Sequence, residues 1–283
     1  MEHEQFALKG GTALNLFYRS LPRLSVDIDL CYLPIEDRET TFKNIHDALQ
    51  RSKSNIEHDL KCRVLPTNPL NGTRESKLLV ERDKIQIKIE PNYTIRGSLF
   101  SPEQRPISPS AKERFGAELE CKCLDFADLM GGKLCAALDR QHPRDLFDIW
   151  HFLNHETWNR KVVDSFIFYL ISHNRPIQKL LNPNFRPIEK SFVDEFNGMT
   201  DQVINIEVLE EAREQLATKI GQLWNKSDKE FLLSILMGTP NWQLFREPSV
   251  GDFPSIKWKM LNINKMDAKK RSEQTSLLEK TFS

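Results

Sequence analysis

Two aspartates, Asp27 and Asp29, are the residues of this sequence best placed to do chemistry. They fall within segment 25–32, where apolar residues alternate with the acids, a pattern that predicts a β-strand with both carboxylates on one face. Two carboxylates this close repel one another unless a cation lies between them. A divalent ion such as Mg²⁺ or Mn²⁺ resolves that conflict, because it accepts one or two protein carboxylates and completes its shell with water and phosphate oxygens.

Glu90 is the expected third acid of this metal site. It ends a strict alternation of apolar and polar residues over 85–90, which predicts a strand whose three isoleucines face a core. Pro91 is expected to end the strand. Acids on adjacent strands, here Asp27, Asp29 and Glu90, form the two-metal arrangement used for in-line phosphoryl chemistry. Taken alone, a D-x-D strand is more often a solvated surface pair.

The segment Gly10-Gly11-Thr12 supplies a candidate phosphate site upstream of the acids. Residues 13–18 have helix-forming composition, and Thr12 is expected to be the N-cap of that helix. Free N–H groups at a helix start bind phosphate, and glycine lets backbone approach a ligand closely. The bland alternative for these glycines is a simple turn.

The remaining pattern predicts an α+β protein, a mixed sheet with flanking helices followed by a helical domain. A helix over 40–53 and short strands over 61–65 and 77–81 are expected in the first part. Five helices are expected in the second, over 125–139, 144–153, 161–173, 206–225 and 228–237. We therefore expect a catalytic core over 1–110, a helical domain completing the nucleotide site over 111–266, and a flexible polar tail over 267–283.

Bulk composition excludes several classes of protein. Lys+Arg and Asp+Glu both number 40, so the net charge is zero and any polyanion contact must come from a local basic patch, such as the lysines between Lys257 and Lys270. The five scattered cysteines, including the C-x-C of Cys121 and Cys123, indicate reduced thiols in ordinary packing. No run approaches the ~18 apolar residues of a membrane span, so we expect a cytoplasmic protein without a membrane partner.

Two blocks of the sequence are specific enough to compare with known families, LKGGTALNLFYRSLPRLSVDIDL (Leu8–Leu30) and DLMGGKLCAALDRQHPRDLFDIW (Asp128–Trp150). Both resemble the AbiEii/AbiGii-type nucleotidyltransferase toxins, which belong to the DNA polymerase β-like nucleotidyltransferase superfamily. The stretches FNGM at Phe196 and FPSIKWKMLNI at Phe253 extend the likeness over nearly the whole chain. Members usually carry a helical segment before the Gly-Gly motif, whereas nine residues precede Gly10 here.

The resemblance implies the toxin of a bacterial toxin–antitoxin pair, of a kind linked in several cases to abortive phage infection. Characterised members transfer a nucleotide from an NTP, some of them to the 3′ end of tRNA. The implied partners are an NTP, an acceptor that is tRNA or alternatively a protein, and a cognate antitoxin. By resemblance Asp27 and Asp29 bind the metal, and Ser25 is the hydroxyl residue two positions earlier. Lys133 and Asp148 match the lysine and the later aspartate of the second block.

Lys133 and Arg140 are seven residues apart and are predicted to share a helix face. With small residues around them, they suit the β- and γ-phosphates of an NTP, the alternative being a solvated basic stripe. Asp148 has two interpretations. It either orients Lys133 or an acceptor hydroxyl, or it pairs locally with Arg144 at i,i+4.

Two rival functions fit the same residues. A metal-dependent nuclease would use Asp27, Asp29 and Glu90 with Lys88, and would need no NTP. A non-catalytic nucleotide-binding module of the same fold would keep the site without turnover, and the three intact acids argue against it.

Overall fold

The computed structural model describes residues 4–65, 67 and 77–282. The described chain forms two compact units, one ending at Asp125 and the other beginning at Phe126. The first unit carries the sheet and the second is helical, which confirms the α+β class and its order along the chain. The division falls later than the expected boundary at residue 110, because strand 120–123, which follows that position, belongs to the sheet.

The first unit is built on one mixed sheet. Its strands, as far as the chain is described, are β1 (Phe6–Lys9), β2 (Asp27–Tyr32), β3 (Arg63–Leu65), β4 (Leu78–Arg82), β5 (Ile85–Asn92), β6 (Glu103–Pro106) and β7 (Glu120–Cys123). They are ordered β3-β4-β5-β2-β1-β7-β6. Strand β2 pairs antiparallel with β1 and parallel with β5. The D-x-D pair therefore lies on the central strand, held from both sides.

The described part of this unit also contains α1 (Gly10–Ala13), which continues into a π-helical turn over Leu14–Tyr18, α2 (Arg38–Asp59) and α3 (Pro109–Phe115). Helix α2 begins at Asp37, whose carboxylate accepts the N–H groups of Glu39 and Thr40. Helix α3 begins at Ser108 and ends at Gly116, which takes the left-handed backbone conformation that glycine permits.

The second unit is built from α4 (Phe126–Asp139), α5 (Pro143–His155), α6 (Arg160–Ser172), α7 (Ile177–Leu181), α8 (Glu189–Glu195), α9 (Ile206–Gly221), α10 (Lys226–Met237), α11 (Pro254–Asn264) and α12 (Ala268–Phe282). Helices α4 and α6 approach closely at Gly131, where a Cβ would lie 2.9 Å from the Phe166 backbone nitrogen. No helix among the described residues is long and apolar enough to span a bilayer.

Strand β5 departs from its sequence pattern in two ways. Ile85 and Ile87 are 68% and 40% exposed, so the prediction that they face a core is wrong. Pairing between β5 and β2 begins only at Lys88, so Ile85 and Ile87 have no residue of β2 opposite them. The strand also continues through Pro91 to Asn92. Strand β4 begins opposite Ile89, so among the residues that the structure describes β2 alone pairs with Pro91, and a missing N–H is tolerated there.

The segment predicted to be a flexible tail is helical, since α12 spans most of it. Thr275 and Leu278 are buried, and Phe282 packs against Trp224 with ring centroids 5.9 Å apart. These three positions follow the i, i+3, i+7 spacing of a narrow helical stripe. The surrounding polar residues mask that stripe in the sequence.

Candidate active site

Asp27 and Asp29 lie on β2 directly beside Lys88 and Glu90 on β5, because the parallel register pairs Asp27 with Lys88 and Asp29 with Glu90. Lys88 Nζ is 2.9 Å from Glu90 Oε2 and 3.8 Å from Asp27 Oδ2. Burial tends to lower the pKa of Lys88, but Glu90, Asp27 and Asp29 outweigh burial and raise it. The structure thus places a protein cation in the field of all three predicted acids.

The donor set fits an ion held by two carboxylates. Within the described ranges, no group of three or more Asp, Glu, His or Cys side chains is arranged to hold a metal. Glu90 instead forms an ion pair with Lys88. Asp27 and Asp29 leave the same face of β2, and Mg²⁺ accepts such a pair when water and phosphate oxygens complete its shell. The role of Glu90 as a third ligand stays a prediction.

Gly10 stands where strand β1 turns into α1, against the carboxylate of Asp29. Its φ is +72°, in the left-handed region that favours glycine. A Cβ here would collide with Asp29 Oδ2 and lie 3.2 Å from Asp29 Cγ. Backbone conformation and lack of space therefore both require glycine, and the junction brings main chain to the D-x-D pair.

Gly11 and Thr12 contact the residues just before β2 and the first residue of that strand. A Cβ at Gly11 would lie 2.8 Å from Ser25 Oγ and 2.7 Å from Arg23 Nη2. Thr12 Oγ1 lies 3.0 Å from Ser25 Oγ and donates to the main-chain carbonyl of Asp27. The prediction of Thr12 as N-cap is wrong, since Lys9 takes that position and the Thr12 hydroxyl is used by β2.

One cation near this segment was not predicted, Arg23, which is buried beside Gly11, whereas Lys88 within the acidic cluster was predicted only for the nuclease alternative. Arg23 precedes the strand by four residues, outside the strand and turn patterns that marked the other residues. In the alternating pattern of β5, Lys88 falls on the same side as Glu90. That pattern is the signal in the sequence that places Lys88 beside the acids.

A separate charged cluster lies in the second unit. Lys133 on α4 is buried, and its Nζ is 3.0 Å from Asp145 Oδ1 and 2.7 Å from Asp148 Oδ2 on α5. Arg140 forms two hydrogen bonds with Asp145, one of them 3.0 Å from Nη2 to Oδ1. Burial opposes ionisation of Asp145, yet Lys133 and Arg140 prevail and hold its pKa at about 2.

This geometry shows where the residues of the second sequence block lie, while their roles stay predictions. Lys133 and Arg140 do converge, and their common point is Asp145. Asp148 contacts Lys133, as the orienting interpretation requires. Arg144 is the residue with which Asp148 was alternatively predicted to pair. Its Nη2 lies 3.6 Å from Glu195 Oε2 on α8. The residues around Asp27 belong to the first unit and this cluster to the second.

The profile of the nucleotidyl transferase AbiEii toxin family, the toxins of a type IV toxin–antitoxin system, matches residues 2–260. The chain belongs to this family. Membership confirms the AbiEii resemblance of the two sequence blocks and makes nucleotidyltransferase toxin the general function. A solved structure, MenT4, a nucleotidyltransferase toxin from Mycobacterium tuberculosis H37Rv, is similar at 14% identity and a TM-score of 0.45, covering 98% of this chain and 84% of that one. No curated protein matches this AbiEii-family chain.

Proposed function

We propose that this chain is a divalent-metal-dependent enzyme that moves an NMP from an NTP to the 3′ end of a tRNA, countered in the bacterial cytoplasm by a cognate antitoxin. The observation that carries the proposal is the Asp27–Asp29 pair on the central strand, with Gly10 against the Asp29 carboxylate. Carboxylates beside a closely approaching backbone suit an ion that shares its shell with phosphate oxygens.

Different residues of the chain are proposed to hold the metal ion and the triphosphate of the NTP. Asp27 and Asp29 would hold Mg²⁺ or Mn²⁺, and such an ion would supply charge neutralisation to the phosphate oxygens. Gly10, Gly11 and Thr12 or Ser25 bind the triphosphate. The acceptor hydroxyl oxygen then bonds to the α-phosphorus as the bond to pyrophosphate breaks, and the hydroxyl proton passes to solvent.

Lys133 and Arg140 are proposed to contact the phosphates and Asp148 to orient Lys133. The buried pair of Lys133 with Asp148 supports a fixed orientation for that lysine, because a solvated basic stripe would leave its ammonium in water. The side chain of Arg140 is 63% exposed, so a ligand arriving from solvent can reach its guanidinium.

One observation favours a second candidate, a metal-dependent nuclease. Lys88 lies among Asp27 and Glu90, as in the arrangement that a nuclease of this composition would use. Such an enzyme would shorten RNA without consuming an NTP.

The test incubates the full chain with each α-labelled NTP and total RNA, with Mg²⁺, Mn²⁺ or EDTA. We expect label on tRNA with a divalent ion, lost in Asp27→Asn and Asp29→Asn and kept in Asp47→Asn, a control at an exposed acid of helix α2. Shortened, unlabelled RNA would establish the nuclease instead. Undiminished labelling by Asp27→Asn would refute the assignment of the metal site.

A further inference from the structure

The helical unit contains a cavity of about 540 Å³ that is lined by none of the predicted site residues. Its walls come from the end of α4, from α7, from segment 182–186 and from the last part of α12. Cavities of a few hundred Å³ are the size that small ligands occupy. The helix predicted to be a tail thus supplies part of a concave surface.

The lining carries positive charge that the protein does not neutralise. Three of the lining residues are cations and none is a carboxylate. Arg175 is compensated, since its Nε lies 2.7 Å from Asp139 Oδ1. Lys179 and Arg186 have no ion-pair partner within the part of the chain that the structure describes. Two uncompensated cations at one cavity favour an anionic ligand.

Arg186 stands on a segment that is fixed in place. The side chain of Gln141 donates to the Asn184 carbonyl at 2.8 Å and accepts the Arg186 N–H at 3.1 Å. Arg213 donates both to Gln141 Oε1 and to the Arg186 carbonyl, at 3.2 and 2.7 Å. Gln141 itself holds a φ of +54°, an unusual conformation that persists where its surroundings enforce it. The backbone that carries the exposed side chain of Arg186 is therefore held in place beside the cavity.

The rest of the lining suits a base and sugar. The amides of Gln178, Asn182 and Asn184 both donate and accept hydrogen bonds. Gln178 is 7% exposed, and its Oε1 has no donor among the described residues, so a ligand N–H would satisfy a buried acceptor that now lacks a partner. Leu138 and Leu277 provide apolar surface for a ring face.

We propose that this cavity binds one nucleotide, with its phosphate at Lys179 and Arg186 and its base among the side-chain amides. The nucleotide is either a free mononucleotide or one unit of an RNA strand, since both present the same phosphate and base. The site is confined to the second unit and does not depend on Asp27 or Asp29.

The test measures binding by equilibrium dialysis of the full chain in EDTA, with labelled GMP and AMP in one arm and labelled single-stranded RNA ten-mers in the other. We compare Lys179→Gln/Arg186→Gln with Lys190→Gln, which removes an exposed cation of helix α8. A third variant, Leu277→Trp, narrows the cavity at a half-exposed position without changing charge.

We expect binding in at least one arm, weakened tenfold or more by the double variant and by Leu277→Trp, and changed less than twofold by Lys190→Gln. Tighter binding of RNA identifies a strand as the source, and equal or tighter binding of GMP or AMP identifies the free nucleotide. No binding in either arm, or a double variant equal to Lys190→Gln, overturns the proposal. Binding that disappears in Asp27→Asn also overturns it, because the nucleotide then belongs to the aspartate site, whereas loss of transfer alone would refute only the proposed function.

Discussion

Lys133 lies between two buried carboxylates, Asp145 and Asp148, while Arg140 reaches the same Asp145 from a largely exposed position. A buried charge that loses its partner keeps its desolvation cost, whereas an exposed ion pair is replaced by water at little expense. The two cations on one helix face therefore differ in what they contribute to stability, although their spacing in the sequence makes them look equivalent.

Lys133→Met should lower the free energy of unfolding by about 3 to 5 kcal/mol, because it leaves Asp145 and Asp148 buried without their shared cation. Arg140→Met should lower it less, by about 1 kcal/mol, because Lys133 remains beside the buried Asp145 and the Arg140 side chain itself is 63% exposed. Urea unfolding followed by circular dichroism measures both. Equal losses in the two variants would contradict a structural role for the buried pair.

Lys259, one of the lysines considered above for polyanion contact, is buried instead, and its Nζ donates to the carbonyls of His173 and Arg175. Burial lowers its pKa to about 8 from 10.5. Between those values the unfolded chain binds a proton that the folded chain has released, so this group makes stability rise with pH across that window.

The corresponding prediction compares wild type with Lys259→Met. The unfolding free energy of wild type relative to the variant should increase by about 2 to 3 kcal/mol between pH 7.5 and pH 10.5, with most of the change above pH 8. Urea titrations at five pH values provide the measurement. A relative stability that is flat or falls with pH would mean that Lys259 keeps its ordinary pKa.

Among the secondary-structure elements, the junction of β1 and α1 shows which contacts of the site the sequence pattern predicts and which it does not. Alternation predicted β2 and most of β5, and the two glycines predicted a close approach of backbone. The four-residue strand β1 was not predicted, because its pairing with β2 and β7 is a long-range property. Without β1 the sequence could not place Gly10 against Asp29, nor assign the Thr12 hydroxyl to β2.

Gly10→Ala should cost both conformational strain, from a φ of +72°, and a collision with the Asp29 carboxylate. Gly116→Ala is a matched control, since its φ of +60° brings the same strain but a Cβ there meets nothing within 4 Å. We expect the control to lose about 1 kcal/mol of stability and keep NMP transfer. Gly10→Ala should lose more stability and at least tenfold in transfer. Similar behaviour of the two variants would show that the contact with Asp29 is unimportant.

At the scale of the whole molecule, the Pro- and Ser-rich segment 101–110 resembles a linker but contains β6, and β7 follows it. Composition predicted the boundary there because prolines and serines are typical of loops. Pairing overrides composition, since β7 lies next to β1 in the sheet. The order of sheet and helices could thus be predicted from local patterns, but the position of the division could not.

Residues 1–125 and 126–283, expressed separately, should each be monomeric and fold cooperatively, because each unit has its own core. Residues 1–110 should aggregate, since removal of β7 leaves one edge of β1 without a pairing strand. Size-exclusion chromatography and thermal unfolding distinguish these outcomes. A soluble, cooperative 1–110 fragment would place the division where composition predicted it.

The burial of the thiols has a practical consequence for watching this protein at work. Cys31, Cys121, Cys123 and Cys135 are buried, and Cys62, just before β3, is partly exposed. A maleimide reagent should therefore attach to the native chain at Cys62 alone and reach the other four only on denaturation. The natural sequence thus offers a single attachment point for a fluorophore or spin label, without engineering any cysteine away.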